Sequence, residues 1–206
     1  MDCPRFLFCS AEPLDDFIES GGPRMILRTS QQESTFVLGN DPCLLVALAT
    51  QLRESVRTLW QCDEAQVLRI GMAIEEALIN ACYHGNLELS SSLRDQDDDS
   101  YRRLARERAR QVPFAQRRIT VQFQCGSRFF HCTIRDEGPG FDPDSLPNPF
   151  SEESLTRPSG RGLTLIRSFM DEVRFNDRGN EITLFKCRPP LLPPVLNRDE
   201  LAFAVC

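Results

Sequence analysis

The hydrophobic period of this chain changes once, and that change restricts the fold more than any other feature. Between Asp41 and Gly85 apolar residues recur at helical spacing, and from Arg118 onward they alternate. Asp41-Pro42 predicts a helix start, with Asp as N-cap and Pro at the first helical position. Leu44, Leu45, Leu48, Leu52, Val56 and Leu59 then form one stripe as far as Trp60. Asp63 caps a second helix with a broad apolar face through Val67, Ile70, Ala73, Ile74, Ala77, Leu78 and Ala81, and Gly85 is expected to end it. Ahead of both, Phe36, Val37 and Leu38 predict a strand over 34–39.

In the second half, Ile119, Val121 and Phe123, then Phe130, Cys132 and Ile134, alternate on either side of Gly126, which predicts a hairpin. A glycine turn follows at 136–140, then a Pro- and Ser-rich loop at 141–159. A short helix is expected over 162–170 with Leu163, Ile166 and Phe169 inward. Val173 and Phe175, then Ile182, Leu184 and Phe185, predict two closing strands around a turn at 177–180. This order predicts an α+β fold, a two-layer sandwich with helices packed on one face of a mixed, mostly antiparallel sheet.

The 206 residues suffice for one core with extensions. We divide them into an irregular N-terminal extension at 1–32, one domain at 33–188 and a Pro-rich C-terminal tail at 189–206. Within the domain, 86–116 breaks the pattern; it is dense in charge, with Tyr101 and Leu104 its main apolar members, and reads as an exposed helical insertion. The formal net charge of −6 argues against direct nucleic-acid binding. Lys occurs only at Lys186, so positive charge is carried by arginine, which suits carboxylate and phosphate. No apolar run approaches the roughly 20 residues of a membrane helix, and the start lacks a secretory pattern. The nine cysteines are scattered without a Cys-x-x-Cys pair, and His84 and His131 stand in no zinc spacing. That set predicts free thiols in a reducing cytoplasm, with Cys82 and Cys132 packing as small apolar residues.

Three short segments can carry chemistry. In 76–85, Glu76 and Asn80 are four apart and share one helix face. An amide oxygen there can join water and phosphate oxygens around Mg²⁺, and the carboxylate can take a proton from an attacking hydroxyl. Asp136-Glu137-Gly138-Pro139-Gly140-Phe141 follows a strand; its glycines permit close approach of a flat ligand, and Asp136 can accept a hydrogen bond from the exocyclic amine of adenine. Ser159-Gly160-Arg161-Gly162-Leu163 opens a helix, where backbone N–H groups and the helix dipole favour phosphate. Taken singly, each segment also suits a solvated helix stripe, an ordinary turn or a linker. The common signatures of P-loops, dinucleotide folds, eukaryotic-type kinases, serine hydrolases and zinc proteases are missing.

Together and in this order, the three segments resemble those of the GHKL ATPases, which share the Bergerat ATP-binding fold. Residues 76–85 and 159–173 look most like the bacterial anti-sigma-factor serine/threonine kinases. The resemblance covers about 34–187 and implies the following roles. Asn80 would hold Mg²⁺ and Glu76 would be the general base. Asp136 would read the adenine amine, with Gly138 and Gly140 shaping its pocket. Gly160, Arg161, Gly162 and Leu163 would form the phosphate side, beneath a mobile lid over 142–159 whose basic residue would be Arg157 or Arg161. His84 falls inside the motif, and we expect it to pack. The family often has Thr after the last glycine, whereas here Asn180 and Glu181 follow Gly179.

The function so implied is phosphoryl transfer from Mg-ATP to a Ser or Thr of a protein antagonist. The alternative is an ATP-gated binding module that sequesters a sigma factor or another regulator without catalysis. Retention of Glu76 favours catalysis. The expected partners are ATP and such a protein, with no membrane, and a homodimer is compatible with the resemblance. A histidine-kinase core fits less well, since no dimerisation helix pair carries a phospho-accepting His.

Overall fold

The structure, a computed structural model, describes residues 31–60, 63–91, 93, 97–145 and 161–188. Its strands are β1 (Gln32–Leu38), β2 (Ile119–Cys125), β3 (Phe129–Arg135), β4 (Glu172–Phe175) and β5 (Glu181–Cys187). They form one sheet in the order β1-β2-β3-β5-β4. Every pairing among the described residues is antiparallel, so the expected mixed character is not seen there. The helices are α1 (Pro42–Trp60), α2 (Glu64–Asn80), α3 (Asp98–Arg108) and α4 (Arg161–Phe169).

The strand alternation sorts the side chains. Ile119, Val121, Phe123, Phe130, Cys132, Ile134, Ile182 and Leu184 point to the helical layer and are buried. They meet Leu45, Leu48, Leu52 and Val56 of α1 and Ile70, Ile74 and Leu78 of α2 in one core. The other face stays polar, with Thr133 and Thr183 sharing a 3.1 Å hydroxyl hydrogen bond. The result is an α+β two-layer sandwich. Burial pushes the thiols of Cys82 and Cys132 up to about 12, with Asp41 adding to the effect at Cys82; both stay neutral and pack as apolar groups.

Two features depart from expectation. Gly85 does not end the second helix. After Asn80 the chain continues through a π-helical turn, Ala81–Asn86, closed by Leu87 N–H donating to the Cys82 carbonyl at 2.8 Å. The left-handed residue that redirects the chain is Glu88, at φ 52°. The insertion is also only partly exposed, because α3 buries Tyr101 and Ala105, and the Tyr101 ring meets Tyr83 edge to face at 5.7 Å.

Trp60, the only tryptophan, is fully buried at the end of α1 and donates its indole N–H to the Gly126 carbonyl at 2.8 Å. Trp60→Phe leaves that carbonyl without its partner, so we expect a loss of about 1–3 kcal/mol in denaturant unfolding. A change under about 0.5 kcal/mol would show that water replaces the indole.

Candidate functional site

The inner face of α2 is fixed by Ile70, Ala73, Ile74, Ala77 and Leu78, all buried. Glu76 and Asn80 sit at the margin of that face and are each half-buried, whereas Glu75 is exposed. The apolar stripe therefore seats this carboxylate and amide at the edge of the core. There they line a cavity of about 720 Å³.

The opposite wall begins where β3 ends. Asp136 is 8% exposed. Its backbone N–H donates to the Asn180 carbonyl at 3.0 Å, and Asn180 Nδ2 donates to the Asp136 carbonyl at 2.8 Å. Its Oδ1 accepts from Gly138 N–H at 2.8 Å. Gly85 lies directly against the carboxylate, and any side chain there would collide with it. That contact, not a left-handed helix cap, is what position 85 requires. Gly138 sits behind Asp136 with its Cα against the Gly85 carbonyl. Gly140, at φ 79°, and Gly179, at φ 71°, belong to two interlocked turns joined by Phe141 N–H donating to the Arg178 carbonyl at 3.1 Å.

Burial pushes the Asp136 carboxyl up to about 6 from 3.8; the Gly138 N–H and the charges of Arg117 and Arg178 limit the rise. The folded chain thus holds a proton there that the unfolded chain has lost. This contribution to stability is present at low pH and declines as pH rises through about 6. A ligand that donates to the ionised carboxylate has the opposite trend, with affinity rising up to about pH 6 and level above. We expect ATP affinity, taken relative to Asp136→Asn to remove the titration of the phosphates, to be about tenfold weaker at pH 5 than at pH 7. Titration calorimetry at both pH values checks this, and equal ratios would show that Asp136 does not carry the binding charge.

The third side is the start of α4. Gly162 abuts Glu76 so closely that a Cβ would strike its Oε1. Arg161 is exposed at the cavity edge, and Leu163 is half-buried, packed against the core. Both line the cavity with Gly162, Asp136 and Gly140. Gly160, Arg157 and the lid beyond Ser145 lie outside the described residues. Phe141 at the lid's start is exposed and stands edge-on to Phe175 at 5.3 Å.

Sequence reasoning missed several contributors. His84 is exposed at the cavity, with Nδ1 2.6 Å from the Leu89 carbonyl, and is not a packed residue as expected. Tyr83 and, from the insertion, Tyr101 add aromatic wall. Asn180 does not fill the ligand-facing role of the expected Thr; its buried amide braces Asp136 from behind. Asn86, 0% exposed, accepts from Glu137 N–H at 2.8 Å and so reaches the same turn. No local pattern marks either asparagine, because each partner is more than forty residues away.

Three walls thus converge: an Asn- and Glu-bearing helix, a buried Asp between glycines, and a glycine start of a helix. The family model for the histidine kinase-like ATPase domain matches residues 40–186, and the chain belongs to that family. It is therefore an ATP-binding domain of a class that hydrolyses ATP or transfers its phosphoryl group. A search of curated proteins returned no match. Among the described residues no helix is long and apolar enough to cross a membrane.

The donor set can be tested for Mg²⁺. Among the described residues no cluster of three or more His, Cys, Asp or Glu is placed to hold a metal. Asn80 lines the cavity and makes no capping hydrogen bond with its side chain. One amide oxygen suits Mg²⁺ carried largely by water and phosphate, and does not suit a metal that needs an all-protein cage.

Proposed function

We propose that the chain is an Mg-ATP-dependent serine/threonine protein kinase of the anti-sigma-factor type, acting on a protein antagonist. In this reading 33–188 is the catalytic unit, Asp136 accepts from the adenine amine, and Gly140 leaves room for the base. Asn80 offers its amide oxygen to the metal. Bound Mg²⁺ would neutralise charge on the phosphate oxygens. Gly160, Arg161, Gly162 and Leu163 form the phosphate side, where the N–H groups opening α4 favour an anion.

The observation that carries catalysis, beyond binding, is the seat of Glu76. Its carboxylate lines the cavity against Gly162, at the N-terminus of α4, and no Lys or Arg among the described residues pairs with it. A binding module has no need of a carboxylate there, since it repels phosphate. A base has that need: the acceptor hydroxyl oxygen bonds to the γ-phosphorus, the bond to the β-phosphate oxygen breaks, ADP leaves, and the hydroxyl proton passes to Glu76.

The test is incubation of the purified chain with γ-labelled ATP, Mg²⁺ and candidate antagonist proteins. Label on a Ser or Thr of one of them is the expected result. ATP-dependent retention of a sigma factor with no label transferred would instead establish sequestration.

A further inference from the structure

Residues 86 and 117 bound the charged insertion on its two sides, and both act on the turn that carries Asp136. Asn86 is 0% exposed and fully engaged. Its Oδ1 accepts from Glu137 N–H, and its Nδ2 donates to Asn40 Oδ1, both at 2.8 Å. Its carbonyl accepts from Arg117 Nη1 at 2.7 Å. Arg117 in turn pairs with Glu88 at 2.7 Å and lies over the Phe114 ring at 5.1 Å. Arg108 lies over the same ring at 5.1 Å and donates to the carbonyls of Leu87 and Glu88 at 2.7 and 2.8 Å. Glu137 is held from a second side, because its Oε2 accepts from Arg118 N–H at 2.9 Å.

We propose that the neck of the insertion is a positioning device for nucleotide recognition, in which Asn86 fixes the turn bearing Asp136 and Arg117 locks Asn86. The inference rests on the reading of Asp136 as the adenine-reading group. A buried amide with its oxygen committed to Glu137 N–H and its nitrogen to Asn40 has one low-energy orientation, since a flip would leave both partners facing like groups. The backbone at Glu137 is thereby pinned one residue from the carboxylate. Arg117 adds a cation near that carboxylate, as Arg178 does from the β4–β5 turn by donating to the Gly138 carbonyl at 3.0 Å. The insertion is thus part of the adenine wall, and anything that moves its neck moves Asp136.

The discriminating measurement compares ATP with purine riboside triphosphate, which lacks only the exocyclic amine, on the full chain. Wild type should prefer ATP by at least about tenfold, since a site built to accept a hydrogen bond rejects an analogue without the donor. Asn86→Ala should bind ATP about tenfold more weakly, keep its affinity for the analogue, and lose the preference. A general structural defect would weaken both ligands equally and leave the ratio unchanged. Arg117→Met should reduce the preference in the same direction and decides the matter if Asn86→Ala does not fold. An unchanged ratio in a folded variant, judged by its melting transition, overturns the positioning role. Absence of any preference in wild type would instead overturn the assignment of Asp136.

Discussion

Glu76→Gln is expected to bind ATP within about twofold of wild type while phosphoryl transfer falls by about 10²–10⁴, the usual contribution of a general base. Glutamine keeps the size of the side chain, so its contact with Gly162 and the packing of α4 on α2 survive. What disappears is the proton acceptor. Glu75 cannot take over, because it is exposed on the next face of the helix. Equilibrium titration with ATP gives the first quantity and a single-turnover assay on the partner the second. Transfer at the wild-type rate would remove Glu76 from the mechanism. Equal loss of binding and transfer would show that it holds the nucleotide and does no chemistry.

Asn80→Ala is expected to lower the affinity for Mg-ATP by about a hundredfold, near 2.7 kcal/mol, and to leave the weaker affinity for metal-free ATP unchanged. The side chain is half-buried at the cavity wall, so truncation removes a ligand oxygen without opening the core. The control is titration in the presence of a chelator. If the variant loses affinity equally with and without Mg²⁺, Asn80 supports the pocket and is no metal ligand. The buried core of α2, centred on Ile74 and Leu78, is untouched and the melting temperature should stay within a few degrees.

The layered α+β fold was legible because its signals are local. Leu45, Leu48, Leu52 and Val56 declare α1 by spacing alone, and Ile119, Val121 and Phe123 declare β2. The strand limits moved by a residue or two, as at β1, which begins at Gln32 and ends at Leu38. The cavity-lining positions of Glu76, Asn80, Asp136 and Gly162 were found through motifs whose order fits a shared wall. What stayed hidden depends on long-range contact. A π turn leaves no hydrophobic period, so Gly85 looked like a cap. Asn86 looked like the first residue of a foreign insertion, because its partners Asn40 and Glu137 lie 46 and 51 residues away. Asn180 looked like a departure from a pattern, while its amide braces Asp136. The charge of α3 masked the two residues, Tyr101 and Ala105, that dock it.

The π turn also sets how this chain can change in length. Deleting one residue within Ala81–Asn86 would let the helix continue with ordinary α-helical bonding. Every residue beyond the deletion would then be carried about 100° around the axis. Gly85 would leave the Asp136 carboxylate and Asn86 would leave Glu137, although no side chain had been substituted. The exposed side of α3, by contrast, carries Arg102, Arg103 and Arg106 on solvent, where additions or replacements meet no packed neighbour. Descendants of this sequence are therefore free to vary in the charged segment and bound to a fixed residue count across six positions before it. A gap of one residue there is a more drastic event than a rewritten α3.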